Sequence, residues 1–212
     1  MEYPADARAL AHTFQGLDRL TVRQRKNWWE ILLSFEARNS YRVFDEHGDP
    51  VLEVREVGRG ITEFLTRWLL GTLRPFRVEI RSAATGQVLL QLRRPFRWFL
   101  SDLQVADGQG QPIGVVRQRW SWLNRRFDIE AMDGERLEIW GPFLSPWTFE
   151  LRSYGMPVGQ IRKRWRGVGA EFFTDADNFG IELDQLASPT LKMLAFSATV
   201  LIDVLHFERS NG

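Results

Sequence analysis

Two aspartates and a glycine near the carboxyl-terminal end have a spacing that suits calcium binding. Twelve-residue calcium loops supply oxygen ligands from positions 1, 3, 5, 7, 9 and 12, with glycine at position 6 and a bidentate carboxylate at position 12. Counted from Asp175, Asp177 falls at position 3 and Gly180 at position 6. Positions 5 and 7 are Phe179 and Ile181, which offer only main-chain oxygens. The candidate calcium ligands are therefore Asp175, Asp177, Phe179 and Ile181.

A hairpin turn accounts for the same segment more fully. Position 12 is Leu186, which has no carboxylate to offer a metal. Aspartate, asparagine and glycine are common turn residues, and asparagine and glycine tolerate positive φ angles. We therefore favour a last hairpin turn near Asp177–Gly180 over a functional calcium site. No cofactor other than this weakly supported Ca²⁺ is predicted.

No other group of residues indicates catalysis. The three histidines lie far apart and have no metal-ligand spacing. The chain has no cysteine, which excludes thiolate metal sites and catalytic thiols. Glu135 and Glu138 fall on predicted exposed strand faces, where carboxylates are usually solvated. With a net charge of +1, the whole molecule has no field that would attract nucleic acid. We predict a non-enzymatic protein without a nucleic-acid partner.

Short segments with glycine turns repeat along the chain. The segment from Gly110 to Trp120 aligns with that from Gly155 to Trp165, and looser copies begin at Gly48 and Gly86. Each copy follows an alternating run of apolar and polar residues, which is the signal of a β-hairpin. The predicted turns lie near Gly48, Gly86, Gly108–Gly110, Gly134, Gly155 and Asp177–Gly180. Six evenly spaced hairpins point to an antiparallel sandwich or barrel.

One convincing helix is predicted, at Leu186–Phe207. A membrane-spanning helix needs about 20 mostly apolar residues, but the uninterrupted apolar stretch here runs only from Met193 to Ile202. A helix that is apolar on all sides and too short to span a membrane is typical of a protein core. We therefore predict that the strands close around it, and that Lys163 on a neighbouring strand pairs with the buried Asp203.

The carboxyl-terminal residues also carry a family resemblance. The run Thr174–Ile181, the triplet Leu201-Ile202-Asp203 and the ending Phe207-Glu208 resemble the signature of the phospholipid scramblase family. Further matching segments are Phe35-Glu36, Asn39-Ser40-Tyr41, Arg94-Pro95, Pro112-Ile113-Gly114, Gly141-Pro142 and Trp165. The resemblance covers nearly the whole chain, from Leu17 to Glu208.

The resemblance implies both a fold and a function. The family is considered similar to tubby-like and LURP-one-related proteins, which implies a closed antiparallel β-barrel of about twelve strands with a buried C-terminal α-helix. We expect this domain at 17–208, with its central helix at 186–207, after a poorly ordered segment at 1–16. The family's loop at 175–186 has been likened to an EF-hand, but its more typical acidic residue at position 186 is missing. The implied function is that of a membrane-associated, lipid-interacting protein that moves phospholipids between leaflets.

The connections between the hairpins form the second candidate site. If the glycine turns lie at one end of a barrel, these connections lie at the other. They combine tryptophan, phenylalanine and arginine, as proteins do at a lipid headgroup layer. The predicted lipid-facing residues are Phe64, Trp68, Trp98, Phe99, Trp122, Phe143, Trp147, Arg67, Arg97 and Arg125. Two alternatives are that these side chains plug the barrel mouth or that they form a homodimer interface.

The amino terminus bears on location. Met1–Asp6 is polar and acidic, unlike a secretory signal peptide, so we expect a cytoplasmic protein, peripheral on the inner face of the plasma membrane. The alternative function is a soluble ligand-binding or protein-interaction module built on the same barrel.

Overall fold

The computed structural model describes residues 5–23, 40–57, 76–96, 100–122, 124–142, 144, 148–164 and 178–210. In chain order the elements are α1 (Ala5–Gln15), β1 (Arg19–Arg23), β2 (Ser40–Phe44), β3 (Pro50–Glu56), β4 (Phe76–Ser82), β5 (Val88–Arg94), β6 (Asp102–Asp107), β7 (Pro112–Arg119), β8 (Asn124–Ala131), β9 (Arg136–Pro142), β10 (Thr148–Ser153), β11 (Met156–Arg164), β12 (Asn178–Glu182) and α2 (Pro189–Ser210).

The strands form one closed antiparallel barrel. Neighbours in the sequence are neighbours in the sheet from β2 to β12, and β1 closes the barrel between β2 and β12. On β1, Leu20 pairs with Ile181 of β12 and Val22 pairs with Val43 of β2. Closure gives every described strand a partner on both sides, so the described sheet has no free edge. The predicted fold class, a twelve-stranded barrel with a buried C-terminal helix, is confirmed.

Strand direction gives the barrel two different ends. Even-numbered strands β2 to β10 run into the hairpin turns, and the glycines of these turns have φ angles of 71° to 92°. This left-handed region suits glycine because glycine has no Cβ. We call this end, with Gly48, Gly86, Gly110, Gly134 and Gly155, the glycine-turn end. The opposite end, toward which the odd-numbered strands run, is the loop end.

Aspartates stabilise several of these turns. One carboxylate oxygen of Asp107 accepts backbone N–H bonds from Gln109 at 2.9 Å and Gln111 at 2.8 Å. Asp45 accepts corresponding bonds in the first turn, and the N–H of Asp49 is the main cause that lowers the pKa of the Asp45 carboxyl. The acidic residues of this end thus have a structural role in holding turns.

Four of the hairpins share a β-bulge just after the turn. One residue of the second strand has no partner in the first, which shifts the register. The inserted residues are Val51, Leu89, Ile113 and Val158, all of which belong to the core or pack against it. These four hairpins are the four segments that repeat in the sequence. The repeat therefore encodes a bulge that adds an apolar side chain to the core near the glycine-turn end.

Helix α2 fills the barrel. Every residue from Leu191 to Asp203 is buried, so all sides of the helix are covered. Ser197 and Thr199 satisfy their hydroxyls within the helix by donating to the carbonyl oxygens four residues earlier, at 2.8 and 3.1 Å. Asp203 is 5% exposed. The side chain of Lys163, its predicted partner, lies outside the described residues, so that pairing stays a prediction.

The amino-terminal segment differs from the prediction of poor order at 1–16. Helix α1 occupies Ala5–Gln15, and its Leu10 and Phe14 are 6% and 0% exposed. They lie four residues apart, on one helical face, and the Phe14 ring lies 6.4 Å from that of Phe196 in α2. The segment is helical because the apolar face of α1 packs on the central helix.

Two predicted boundaries in the last quarter of the chain are corrected. The prediction of a turn near Asp177–Gly180 is wrong at Asn178–Gly180. These three residues lie in β12 and pair with β1 and β11. The helix begins at Pro189, three residues after the predicted start, because Ser188 caps it: its Oγ accepts the N–H of Leu191 at 3.3 Å. Proline at the first helical position agrees with this start. The helix runs to Ser210, three residues beyond the predicted end.

Candidate functional site

Large apolar side chains are exposed at the loop end of the barrel. Trp120 is 71% exposed, Trp122 84% and Leu144 93%. The rings of Trp120 and Trp122 meet edge to face, with centroids 5.6 Å apart and an interplanar angle of 87°. Val57, at the end of β3, and Phe96, after β5, are each more than a third exposed. We call Trp120, Trp122 and Leu144 the loop-end apolar group.

Both exposed tryptophans lie in the short connection between β7 and β8. β7 ends at Arg119 and β8 begins at Asn124, so only four residues join the two antiparallel strands. The N–H of Asn124 donates to Ser121 Oγ at 3.3 Å within this connection. The two tryptophans are separated by one residue and contact each other, which keeps their rings together outside the barrel.

The predicted lipid-facing residues fall into two groups. Trp122 and Arg125 lie in the described part of the chain, and the other eight lie outside it: Phe64, Trp68, Trp98, Phe99, Phe143, Trp147, Arg67 and Arg97. Trp122 does not plug the barrel mouth, because it is 84% exposed. Arg125 is half-buried, with its guanidinium 4.5 Å from the Phe149 ring centroid. Sequence reasoning missed Trp120, although the Trp-Ser-Trp spacing after a strand end was a usable signal.

The outer face of β7–β9 is a network of ion pairs. Arg117 binds Glu130 and Arg119 binds Asp128, both at 2.5 Å, and Arg126 binds Glu138 at 2.9 Å. The guanidinium of Arg117 lowers the pKa of the Glu130 carboxyl, with a smaller contribution from Arg136. These arginines are neutralised by their cross-strand neighbours. They form a charge-balanced outer face on these three strands.

Two other outer-face arginines differ from these. Arg77 of β4 and Arg93 of β5 are direct cross-strand partners, and both side chains are exposed. Neither forms an ion pair with a described carboxylate. They lie next to the last strand positions at the loop end, the same end that carries the loop-end apolar group.

The candidate calcium ligands are only partly described. Phe179 and Ile181 are buried in β12, at 3% and 1% exposure, and both are paired with β1 and β11. Leu186 is also buried, at 4%. Asp175 and Asp177 lie outside the described residues, in the 165–177 connection that joins β11 to β12. Within the described residues, no three His, Asp or Glu side chains are grouped as a metal site, and the calcium loop stays a prediction.

Comparison with known proteins places the chain in a family. The sequence profile of the Scramblase family matches residues 2–209. The chain belongs to the Scramblase family. Phospholipid scramblase 2 of Homo sapiens is 31% identical over 209 residues, covering 92% of this chain and 69% of the relative. Phospholipid scramblase 1 of Mus musculus is 32% identical over 211 residues, covering 92% of this chain and 63% of the relative.

A more distant scramblase relative matches over less of its length. A phospholipid scramblase family protein of Schizosaccharomyces pombe is 27% identical over 172 residues, covering 76% of this chain and 45% of the relative. The chain thus spans about two thirds of the mammalian scramblases and less than half of the yeast protein. No solved structure matches the chain significantly. Among the described helices of this scramblase-family chain, none is long and apolar enough to cross a membrane.

Proposed function

We propose that this scramblase-family protein binds the surface of phospholipid membranes with the loop end of its barrel. The observation that carries the proposal is the exposure of Trp120, Trp122 and Leu144 at that end. Tryptophan favours the membrane–water interface because its ring is amphipathic. An exposed apolar group of this kind marks an interaction surface in a folded protein. In this arrangement the two tryptophans enter the headgroup layer.

The free energy gained by burying these tryptophans in a membrane suits reversible binding. A tryptophan side chain buries about 150–250 Å² when fully covered. At about 25 cal/mol per Å², covering half of one such surface contributes about 2–3 kcal/mol. Stable attachment usually takes two signals, and arginines near the loop end supply an electrostatic one.

The relatives' names support a second step of the proposal. They are called phospholipid scramblases, and we propose that this protein takes part in moving phospholipids between leaflets. It acts on lipids by contact and carries out no covalent chemistry on them. The loop-end apolar group offers apolar and stacking contacts, which fit that role.

Vesicle flotation tests membrane binding. We expect the wild-type protein to float with phosphatidylcholine vesicles that contain phosphatidylserine. Trp120→Ala/Trp122→Ala should weaken binding at least about a hundredfold, because each lost ring removes about 1.4 kcal/mol or more of apolar contact and each such loss is a factor of about ten.

The matched control is Tyr154→Ala/Met156→Ala, which removes side chains that are 92% and 66% exposed at the glycine-turn end. This variant should float like the wild type. Equal binding by the two double variants contradicts the proposed orientation. A wild-type protein that stays with the soluble fraction contradicts membrane binding and favours the soluble interaction module or a homodimer.

A further inference from the structure

Arg77 and Arg93 place two positive charges side by side on the outer face of the barrel. They are direct partners in the antiparallel ladder between β4 and β5. Side chains directly opposite each other on one face have Cβ atoms about 4.5–5.5 Å apart. Like charges in this arrangement repel and destabilise the sheet. The pair therefore has an electrostatic cost that a bound anion would remove.

Most described outer-face arginines are paired with acids, whereas Arg19, Arg42 and Arg162 are exposed and form no ion pair with a described carboxylate. Glu79, the nearest acid along β4, is already bound to Arg81 at 2.6 Å. Other described arginines with carboxylate partners are Arg55, Arg81, Arg117, Arg119, Arg126, Arg136 and Arg152. Arg77 and Arg93 have no described carboxylate in contact with them, and they lie directly opposite each other with both side chains exposed. Two like charges facing each other call for a counter-charge from outside the described residues.

The surroundings of the pair suit an anion presented by a surface. Arg93 pairs on its other side with Gln104 of β6, whose exposed amide is a further hydrogen-bond donor. Val57, 38% exposed, donates its N–H to the carbonyl oxygen of Arg77 at 3.0 Å and so lies beside it. Arginines, an amide and an apolar side chain thus lie together near the loop end.

We propose that Arg77 and Arg93 form a binding site for a phosphomonoester group. A phosphomonoester carries about −1.5 to −2 charges near neutral pH, which two guanidinium groups match. A phosphodiester carries one charge and leaves one arginine unmatched. Guanidinium groups bind phosphate oxygens through two parallel N–H bonds, and two arginines can contact different oxygens of one phosphate. The inference rests on the proposed function and names the lipid headgroup class that the loop end selects.

Headgroup preference is the first test. We expect the wild type to bind phosphatidic acid vesicles more tightly than phosphatidylserine vesicles of equal total charge. Arg77→Gln/Arg93→Gln should lose this preference and bind phosphatidic acid about tenfold to thirtyfold more weakly, given about 1 kcal/mol for each arginine near a surface. The control Arg19→Gln/Arg136→Gln removes the same charge from exposed positions at the glycine-turn end and should keep the preference.

The outcomes separate this inference from the proposed function. If the wild type binds both vesicles equally and Arg77→Gln/Arg93→Gln behaves as the control does, a lipid headgroup is overturned as the source of the phosphomonoester while membrane binding stands. If the wild type binds no vesicle, the proposed function fails, and the next measurement decides the site alone.

Thermal unfolding with soluble glycerol 3-phosphate tests phosphate recognition without a membrane. A ligand that binds only the folded state raises Tm, so we expect a concentration-dependent rise in the wild type and the control. Arg77→Gln/Arg93→Gln should show no rise, and without ligand its Tm should be at or above the wild-type value because the like-charge repulsion is gone. A rise without any vesicle preference identifies a free phosphate compound as the ligand. An equal rise in all three proteins contradicts the site.

Discussion

Lys192 is a charged residue at the start of the central helix, with a side chain that is only 4% exposed. Its Nζ donates to Asp18 Oδ1 at 2.6 Å and to the carbonyl oxygen of Gln15 at 2.9 Å. The bond ties α2 to the segment between α1 and β1, at the glycine-turn end. A buried ammonium is stable only when it is paired in this way. No sequence pattern could supply the pairing, because Asp18 and Lys192 lie 174 positions apart.

Replacing either partner should have unequal effects. Asp18→Ala leaves Lys192 buried without its carboxylate partner and should lower the free energy of unfolding by about 2 kcal/mol. This loss is smaller than that expected on breaking a fully buried ion pair, because Asp18 is half-exposed. Lys192→Met keeps the packing and removes the charge, so it should cost less than about 1 kcal/mol. Urea denaturation measures both changes. The control is Asp184→Ala at an exposed position, which should leave the free energy of unfolding within about 0.5 kcal/mol of the wild-type value. A Lys192→Met variant less stable than Asp18→Ala would contradict this account.

At the scale of elements, glycines allow close approach as well as turns. A Cβ on Gly114 of β7 would lie 2.6 Å from the carbonyl oxygen of Glu130 and 2.8 Å from Leu194 Cδ1 of α2. The aligned residue of the repeat, Gly159, would place its Cβ 2.4 Å from the carbonyl oxygen of Glu182. Both glycines follow a bulge residue. The repeat therefore specifies contact between adjacent strands and, at Gly114, between the barrel and its central helix.

Adding one methyl group at this contact should destabilise the barrel. We expect Gly114→Ala to reduce the free energy of unfolding by about 1–3 kcal/mol, because the backbone or α2 must shift to relieve the overlap. Gly16→Ala is the matched control. A Cβ at Gly16 meets nothing within 4 Å, so this variant should be neutral or slightly stabilising. Equal unfolding midpoints for the two variants, measured by thermal denaturation, would contradict the close approach.

An element could be predicted from the sequence where its own residues determine its conformation. It could not be predicted where packing against a distant segment does. The turns at Gly48, Gly86, Gly110, Gly134 and Gly155 could be predicted because positive φ angles select glycine. Asn178–Gly180 has turn-forming residues, but burial of Phe179 and Ile181 against both neighbouring strands makes the segment a strand. Helix α1 was missed because its order depends on packing against α2. The apolar spacing of Leu10, Phe14 and Leu17 was the local signal that indicated it.

At the scale of the whole molecule, the barrel end could be predicted as a candidate site, but not all of its residues. The connections between the predicted hairpins indicated an aromatic end, and Trp122 lies there as expected. The Arg77/Arg93 pair depends on the register between β4 and β5 and on which other arginines have acid partners. Those are cross-strand relations, which alternation along one strand does not contain.

Calcium should not be needed for membrane binding. Phe179, Ile181 and Leu186, at positions 5, 7 and 12 of the calcium loop, are buried apolar residues of the domain core. We expect wild-type flotation with vesicles to be equal in calcium and in a chelator, and Asp177→Ala to bind as the wild type does. A lipid-flip assay in reconstituted vesicles under both conditions extends the test to phospholipid movement. Binding that appears only with calcium and is lost in Asp177→Ala would contradict this expectation and establish the calcium loop.

The position of α2 after all twelve strands in the sequence has a consequence for biosynthesis. A ribosome delivers the hairpins from β2–β3 to β10–β11 before it delivers the helix that fills them. Until Pro189–Ser210 has emerged, inward-facing side chains such as Ile80 and Leu103 have no central helix to cover them. Until β12 has emerged, β1 also lacks its second neighbouring strand. Exposed apolar surface and unpaired strand edges make incomplete chains prone to aggregation. Deletion of Pro189–Ser210 should therefore remove solubility rather than merely lower stability, and the nascent barrel should depend on chaperones until α2 has emerged.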